Sequence, residues 1–198
     1  MDLILIRHPA PAIDAGVCYG KTDVPLAGDA AESVRHIVAR LATLSFPLPQ
    51  RLATSPLQRC ADVARRLAHH FDCACGADPR LQEIDFGQWE GQRWDAIDRA
   101  ALDAWAADLR HARMHGGESV AQFEARVDAW LGPWREPEAG SASTMLAVTH
   151  AGVMRMIAAL LLGEALETTL KWPLEMAALV WLRRDGEGSH WRLLHWNA

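Results

Sequence analysis

The chain has no hydrophobic run long enough to cross a membrane. Its apolar amino terminus, Leu3-Ile4-Leu5-Ile6, is cut off by Arg7 after four residues, also far short of a signal-peptide core. The expectation is a soluble, cytoplasmic protein. Nor is there a proline-, glycine- or serine-rich stretch long enough to act as a linker. The 198 residues, half of them hydrophobic, are therefore expected to form one domain over 1–198 around a sizeable core. The nearest thing to a linker, residues 132–143, reads as a surface loop between a helix and a strand. No basic stripe is visible and the net charge is -5, which argues against nucleic acid and anionic membranes as partners. Cys18, Cys60, Cys73 and Cys75 are too few for a disulfide framework in a chain of this length and read as reduced thiols. The cluster His69-His70-x-x-Cys73-x-Cys75 is spaced more tightly than usual zinc sites, so no metal is assigned to it. There is no internal repeat or low-complexity segment.

What is present is an alternation of strand-like and helical patterns. Strands are predicted at 3–7, 51–54, 80–81, 144–149, 177–183 and 191–196. Val34, Ile37, Val38 and Leu41 recur at helical spacing, as do Leu57, Cys60, Ala61, Ala64, Leu67 and Ala68, so each set reads as one buried helix face. Ser119 with Gln122 forms a capping box, opening a helix expected to stop near Gly132-Pro133. Asp185-Gly186-Glu187-Gly188 reads as a hairpin turn between the last two strands, which makes the sheet mixed. The predicted fold class is α/β, a three-layer α/β/α sandwich around a mixed, mainly parallel sheet.

In open α/β sheets ligands bind outside the carboxyl ends of the strands. Arg7-His8 stands at such an end. The dipeptide alone is weak, since roughly one is expected by chance and Arg35-His36 and Arg110-His111 also occur, but those two fall in helical patterns. A second junction is Thr54-Ser55-Pro56, where Ser55 is expected to cap a helix with Pro56 in its first turn, bringing Arg59 toward an anion at the helix start. A third is Thr149-His150, before a helix expected to close near Gly163. Between them, Glu83, Asp85 and Glu90 with Gly87 and Gly91 form an acidic loop, either a source of a proton donor or a solvated turn.

The ordered set Leu-Ile-Arg7-His8, Thr-Ser-Pro-Leu-Gln-Arg59, Leu-Gln-Glu83, Gly87-Gln88-Trp89-Glu90-Gly91, Gly116-Gly117-Glu118-Ser119 and Val-Thr-His150-Ala-Gly resembles the histidine phosphatase superfamily over nearly the whole chain. The resemblance implies a phosphomonoester hydrolase with a phosphohistidine intermediate. In that scheme His8 accepts the phosphoryl group, and Arg7, Arg59 and His150 surround its oxygens. Glu83 protonates the leaving alkoxide, with Asp85 in reserve, and neither cofactor nor metal is needed. The partner is a small phosphorylated metabolite, with a homodimer left open. Two residues depart from the family's pattern. Pro9 replaces the glycine that commonly follows Arg-His, removing an N–H, and Asp14 stands where mutases often carry Asn.

Cys18-Tyr19-Gly20-Lys21-Thr22-Asp23-Val24-Pro25-Leu26 resembles the corresponding loop of α-ribazole phosphatases. That makes Gly20, Lys21 and Thr22 candidate phosphate-side contacts, with α-ribazole 5′-phosphate the expected substrate. Nine tryptophans against one tyrosine mostly read as packing. Trp89 and Trp94 flank the acid loop, and Trp89 is carried as a candidate stacking surface for a substrate ring. A phosphoglycerate mutase is the alternative enzyme; Arg93, Arg99, Arg110 and Arg113 are the basic residues available for its second phosphate. A noncatalytic phosphometabolite-binding module is the alternative of another class, disfavoured because His8 and Arg59 are both present.

Overall fold

The computed structural model describes residues 1–135, 144–185 and 190–198. Six strands, β1 (Asp2–Arg7), β2 (Arg51–Thr54), β3 (Ala74–Ala77), β4 (Thr144–Thr149), β5 (Leu179–Arg184) and β6 (Trp191–His195), form one sheet in the order β3-β2-β4-β1-β5-β6. β1, β4, β2 and β3 run parallel, while β5 is antiparallel to β1 and β6 to β5. The sheet is thus mixed and mainly parallel, as expected.

Helices cover both faces. Ile4 and Ile6 of β1 and Leu146 and Val148 of β4 pack with Ile37 and Leu41 of α1 (Ala30–Thr43) and Val63 and Leu67 of α2 (Gln58–Phe71). The intervening residues Leu3, Leu5 and Ala147 face the other way. They meet Phe123 and Val127 of α4 (Val120–Arg135) and Met154 and Ile157 of α5 (Ala151–Leu162). Two shorter helices complete the chain, α3 (Arg99–Ala107) before α4 and α6 (Leu166–Leu170) after α5. A fully buried aliphatic side chain contributes roughly 1.5–3 kcal/mol. β1 and β4 are filled on both faces, so a slip of one residue would exchange every side chain between layers. That locks the register on which the site depends.

Several sequence expectations are corrected. Residues 80–81 are not a strand: Pro79–Leu81 is a single 3-10 turn, its first N–H taken by the Asp78 carboxylate at 2.9 Å from Arg80 N. The third parallel strand is instead Ala74–Ala77, wholly exposed and poor in β-formers, held by pairing with β2 alone. α2 begins at Gln58, three residues after Ser55, which does not cap it. α4 runs through Pro133 to Arg135 rather than stopping at Gly132. Proline frees the carbonyl four residues back, and that carbonyl, of Ala129, accepts from Arg80 at 2.9 Å. β5 starts two residues later than predicted because Ala177 adopts a left-handed φ of 57°. The predicted turn at 185–188 and loop at 132–143 fall largely outside the described residues. All four cysteines are free thiols. No helix among the described residues is long and apolar enough to cross a membrane.

Candidate active site

Strand register builds the site. Arg7 lies opposite Thr149, and Thr54 opposite Val148, so the residues that follow, His8, His150 and Ser55, emerge together at one sheet edge. Backbone bonds close the edge, from His8 N to Thr149 O at 2.9 Å and from Ser55 N to Val148 O at 3.0 Å. The two imidazoles are buried, with centroids 5.1 Å apart and planes at 61°.

The His8 Nδ1 lies 2.7 Å from the carbonyl oxygen of Pro9. A carbonyl can only accept, so the proton resides on Nδ1 and Nε2 keeps its lone pair. Pro9, which removes an N–H from this turn, thus supplies the acceptor that sets the tautomer. Burial, with the charges of Arg59 and Arg7, pulls the pKa of His8 from 6.5 down to about 3 against the opposing Pro9 hydrogen bond. His150 is likewise held well below 6.5, by burial and then by His8 and the surrounding guanidiniums. Its Nε2 lies 2.8 Å from Ser55 Oγ and 3.5 Å from Cys60 Sγ. Ser55 therefore orients His150, in place of the expected helix cap.

Arg59 is fully buried. Its two terminal nitrogens donate to Thr22 O and Gly20 O, each at 2.7 Å, and it covers the Tyr19 ring at 5.2 Å. Arg7 donates to the Leu174 carbonyl. The Nε of each guanidinium is buried without a hydrogen-bond partner, and no carboxylate among the described residues pairs with either. Buried cations of this kind favour an anion that satisfies both charge and donors.

Glu83 faces this group from the amino end of α5. Its Oε2 accepts the Gly152 N–H at 3.0 Å and its Oε1 the Ile84 N–H at 3.1 Å. A Cβ at Gly152 would stand 2.3 Å from Oε1, so only glycine lets the carboxylate reach the helix terminus. On its outer side Glu83 lines a cleft of about 420 Å3 that also holds Lys21, Asp85 and Arg113. Asp85 is engaged by its own loop, accepting Gly87 N–H at 2.8 Å and pairing with Lys21 at 3.6 Å.

Of residues 20–22, expected as phosphate contacts, Lys21 lines the cleft beside Glu83, while the backbone turns to other partners. Lys21 N–H and Thr22 N–H donate to the Glu90 carboxylate at 2.8 and 2.6 Å, and so does the Thr22 hydroxyl. Glu90 also accepts Phe86 N–H at 2.9 Å, which ties the loop to the acid segment. Gly20 fits because a Cβ there would sit 2.2 Å from Ile84 O. Trp89 is no stacking platform: it is buried against Trp105, Trp94 and His115 with Cys18 and Ile97. Sequence reasoning brought His8, Arg7, Arg59, His150 and Glu83 together. It missed the roles of Glu90 and Ser55, whose partners lie far off in sequence.

A sequence model described as the histidine phosphatase superfamily (branch 1) matches residues 3–198. The chain belongs to that superfamily. A glucosyl-3-phosphoglycerate phosphatase of Mycolicibacterium vanbaalenii is 29% identical, covering 99% of this chain and 94% of the relative. An adenosylcobalamin/α-ribazole phosphatase of Escherichia coli is also 29% identical, over 84% of this chain and 82% of its own length. The crystal structure of an α-ribazole phosphatase from Shigella flexneri superposes with a TM-score of 0.84 at 25% identity, covering 100% of this chain and 96% of that one. The chain is a histidine phosphatase superfamily phosphatase; relatives at equal identity carry names with different substrates.

Proposed function

We propose that this phosphatase hydrolyses small phosphomonoesters by way of a phosphohistidine on His8. The observation that carries the reading is a neutral imidazole, its Nε2 lone pair free, beside two buried guanidiniums that have no carboxylate partner among the described residues. Nε2 attacks phosphorus as the bond to the leaving oxygen breaks. Arg7, Arg59 and His150 stabilise charge on the three remaining oxygens. Glu83 gives its proton to the leaving alkoxide. It then takes one from the water that attacks the phosphohistidine, releasing phosphate and restoring His8. This scheme uses no cofactor, because the side chains supply the positive charge. We place the activity in the cytoplasm, where four thiols stay reduced.

The named candidate substrate is α-ribazole 5′-phosphate, supported by the loop at 18–26 and by relatives so named. A mutase has less support. Of its four candidate second-phosphate residues, Arg93, Arg99 and Arg110 pair with Asp95, Asp103 and Glu124. The test is turnover of the purified protein on α-ribazole 5′-phosphate and a metabolite phosphoester panel, with phosphoglycerate isomerisation assayed with and without bisphosphate. Hydrolysis without isomerisation is expected; isomerisation outpacing hydrolysis would replace this reading.

A further inference from the structure

We propose that Arg155 forms a second anion subsite on the leaving-group side, selecting phosphomonoesters whose alcohol carries a carboxylate near the ester oxygen. The inference rests on the phosphatase reading above and narrows its substrate class. Arg155 lies on α5 three residues beyond Gly152, on the same helix face. Helical side chains lean toward the amino terminus, which aims it at the carboxylate that Gly152 N–H holds, that of Glu83. One terminal nitrogen donates to Trp172 O at 3.1 Å, two residues before the Leu174 carbonyl that holds Arg7. Its Nε is buried with no partner, and no carboxylate among the described residues forms an ion pair with it. Arg7 and Glu83 both act on its charge, so it lies within electrostatic reach of the phosphoryl group's cation and of the proposed proton donor.

Propping the Trp172 carbonyl takes a single donor and no charge, whereas a half-buried guanidinium pays a desolvation cost that an anion would offset. The phosphoryl dianion already has Arg7, Arg59 and two imidazoles. A third guanidinium placed toward Glu83 therefore suits an anion on the departing alcohol, and its planar fork matches a carboxylate. The choice ranks carboxylate-bearing esters above α-ribazole 5′-phosphate, whose alcohol carries none.

The test is calorimetric titration of the full chain carrying His8→Ala, which holds ester without turnover, with 3-phosphoglycerate and glycerol 3-phosphate. These differ by a carboxylate against a hydroxymethyl group. We expect 3-phosphoglycerate to bind about tenfold tighter or more, the scale of one charge-assisted contact. Adding Arg155→Gln should bring the two affinities together, and Arg155→Lys should restore part of the gap. The ratio is read within each protein, so a general loss of binding cancels, and Arg155→Lys keeps charge and stem should Arg155→Gln not fold. Equal binding of both esters before Arg155 is changed, or a preference that survives Arg155→Gln, overturns the subsite alone. A preference that instead disappears with Arg113→Gln moves it to the cleft and also overturns it. Binding of neither ester rejects the phosphoryl site itself.

Discussion

At the carboxyl ends of β1, β2 and β4 the reactive groups are buried side chains set by strand register. Around them, residues 20–22, 83–90 and 172–174 are irregular segments held by hydrogen bonds to backbone groups. The difference lies in where unsatisfied polarity is kept. In the first region Arg7 and Arg59 have no carboxylate partner among the described residues, and His8 stays neutral beside them. In the second, loop N–H groups are turned to acceptors within the protein, Glu90 accepting from Lys21, Thr22 and Phe86. One region is prepared for an anion to arrive, while the other holds the first in place. Their seam is Arg59, whose terminal nitrogens are fixed by carbonyls of the loop that Glu90 staples.

Substitutions should separate the two regions. His8→Ala is expected to have the largest effect, lowering turnover by about ten-thousand-fold or more because the covalent acceptor is lost. Rapid-quench labelling in alkali, where phosphohistidine survives, should mark the native protein only; a labelled variant would move the nucleophile elsewhere. Next comes Glu83→Gln, expected to slow single-turnover transfer from an alkyl phosphomonoester by about a hundredfold or more, the scale of general acid catalysis. Transfer from p-nitrophenyl phosphate, whose leaving group needs little protonation, should change far less, and Asp85→Asn should show no such split. A reversed pattern would give the proton to Asp85.

Glu90→Ala probes the seam. Loop donors lose their acceptor, so Arg59 loses its fixed carbonyls, and KM should rise while kcat falls, by about tenfold in kcat/KM for a misplaced positioning group. Glu90→Gln should recover part of this. If kinetics stay unchanged while the melting temperature drops, Glu90 serves the fold and not Arg59. The smallest effect concerns acid stability. An unfolded imidazole takes a proton near pH 6.5, whereas His8 in the fold resists until about 3. The unfolded chain thus binds more protons in that window, and stability is full above 6.5 and declines as pH falls toward 3. Denaturant titrations of the native chain and His8→Ala should show a shallower decline in the variant. Parallel slopes would mean that His8 does not carry the effect.

Legibility followed the same division. The strands that carry Arg7 and His150 are apolar runs filled on both faces, readable without a partner in view, and the helix after His150 ends at Gly163 as expected. β3 was not readable, because Ala74–Ala77 has neither β-branched residues nor burial and exists through its ladder with β2. Trp89 looked available to a ligand since a tryptophan in a glycine-rich loop gives no sign of the aromatic residues that bury it. Glu90 gave none of its role, its partners Lys21 and Thr22 being 69 and 68 residues away.

By itself the sequence determined an alternating α/β chain, the strand ends that deliver Arg7, His8 and His150, and the motif order of the superfamily. Those properties depend on short-range patterning, which local burial and helix spacing enforce. Tertiary structure alone decided the tautomer and neutrality of His8, the bonds from Lys21 and Thr22 to Glu90, and the burial of the Arg155 Nε without a partner among the described residues. Each depends on which distant groups meet once water is excluded, and only the packed sheet and its helices bring those groups within hydrogen-bond and electrostatic range.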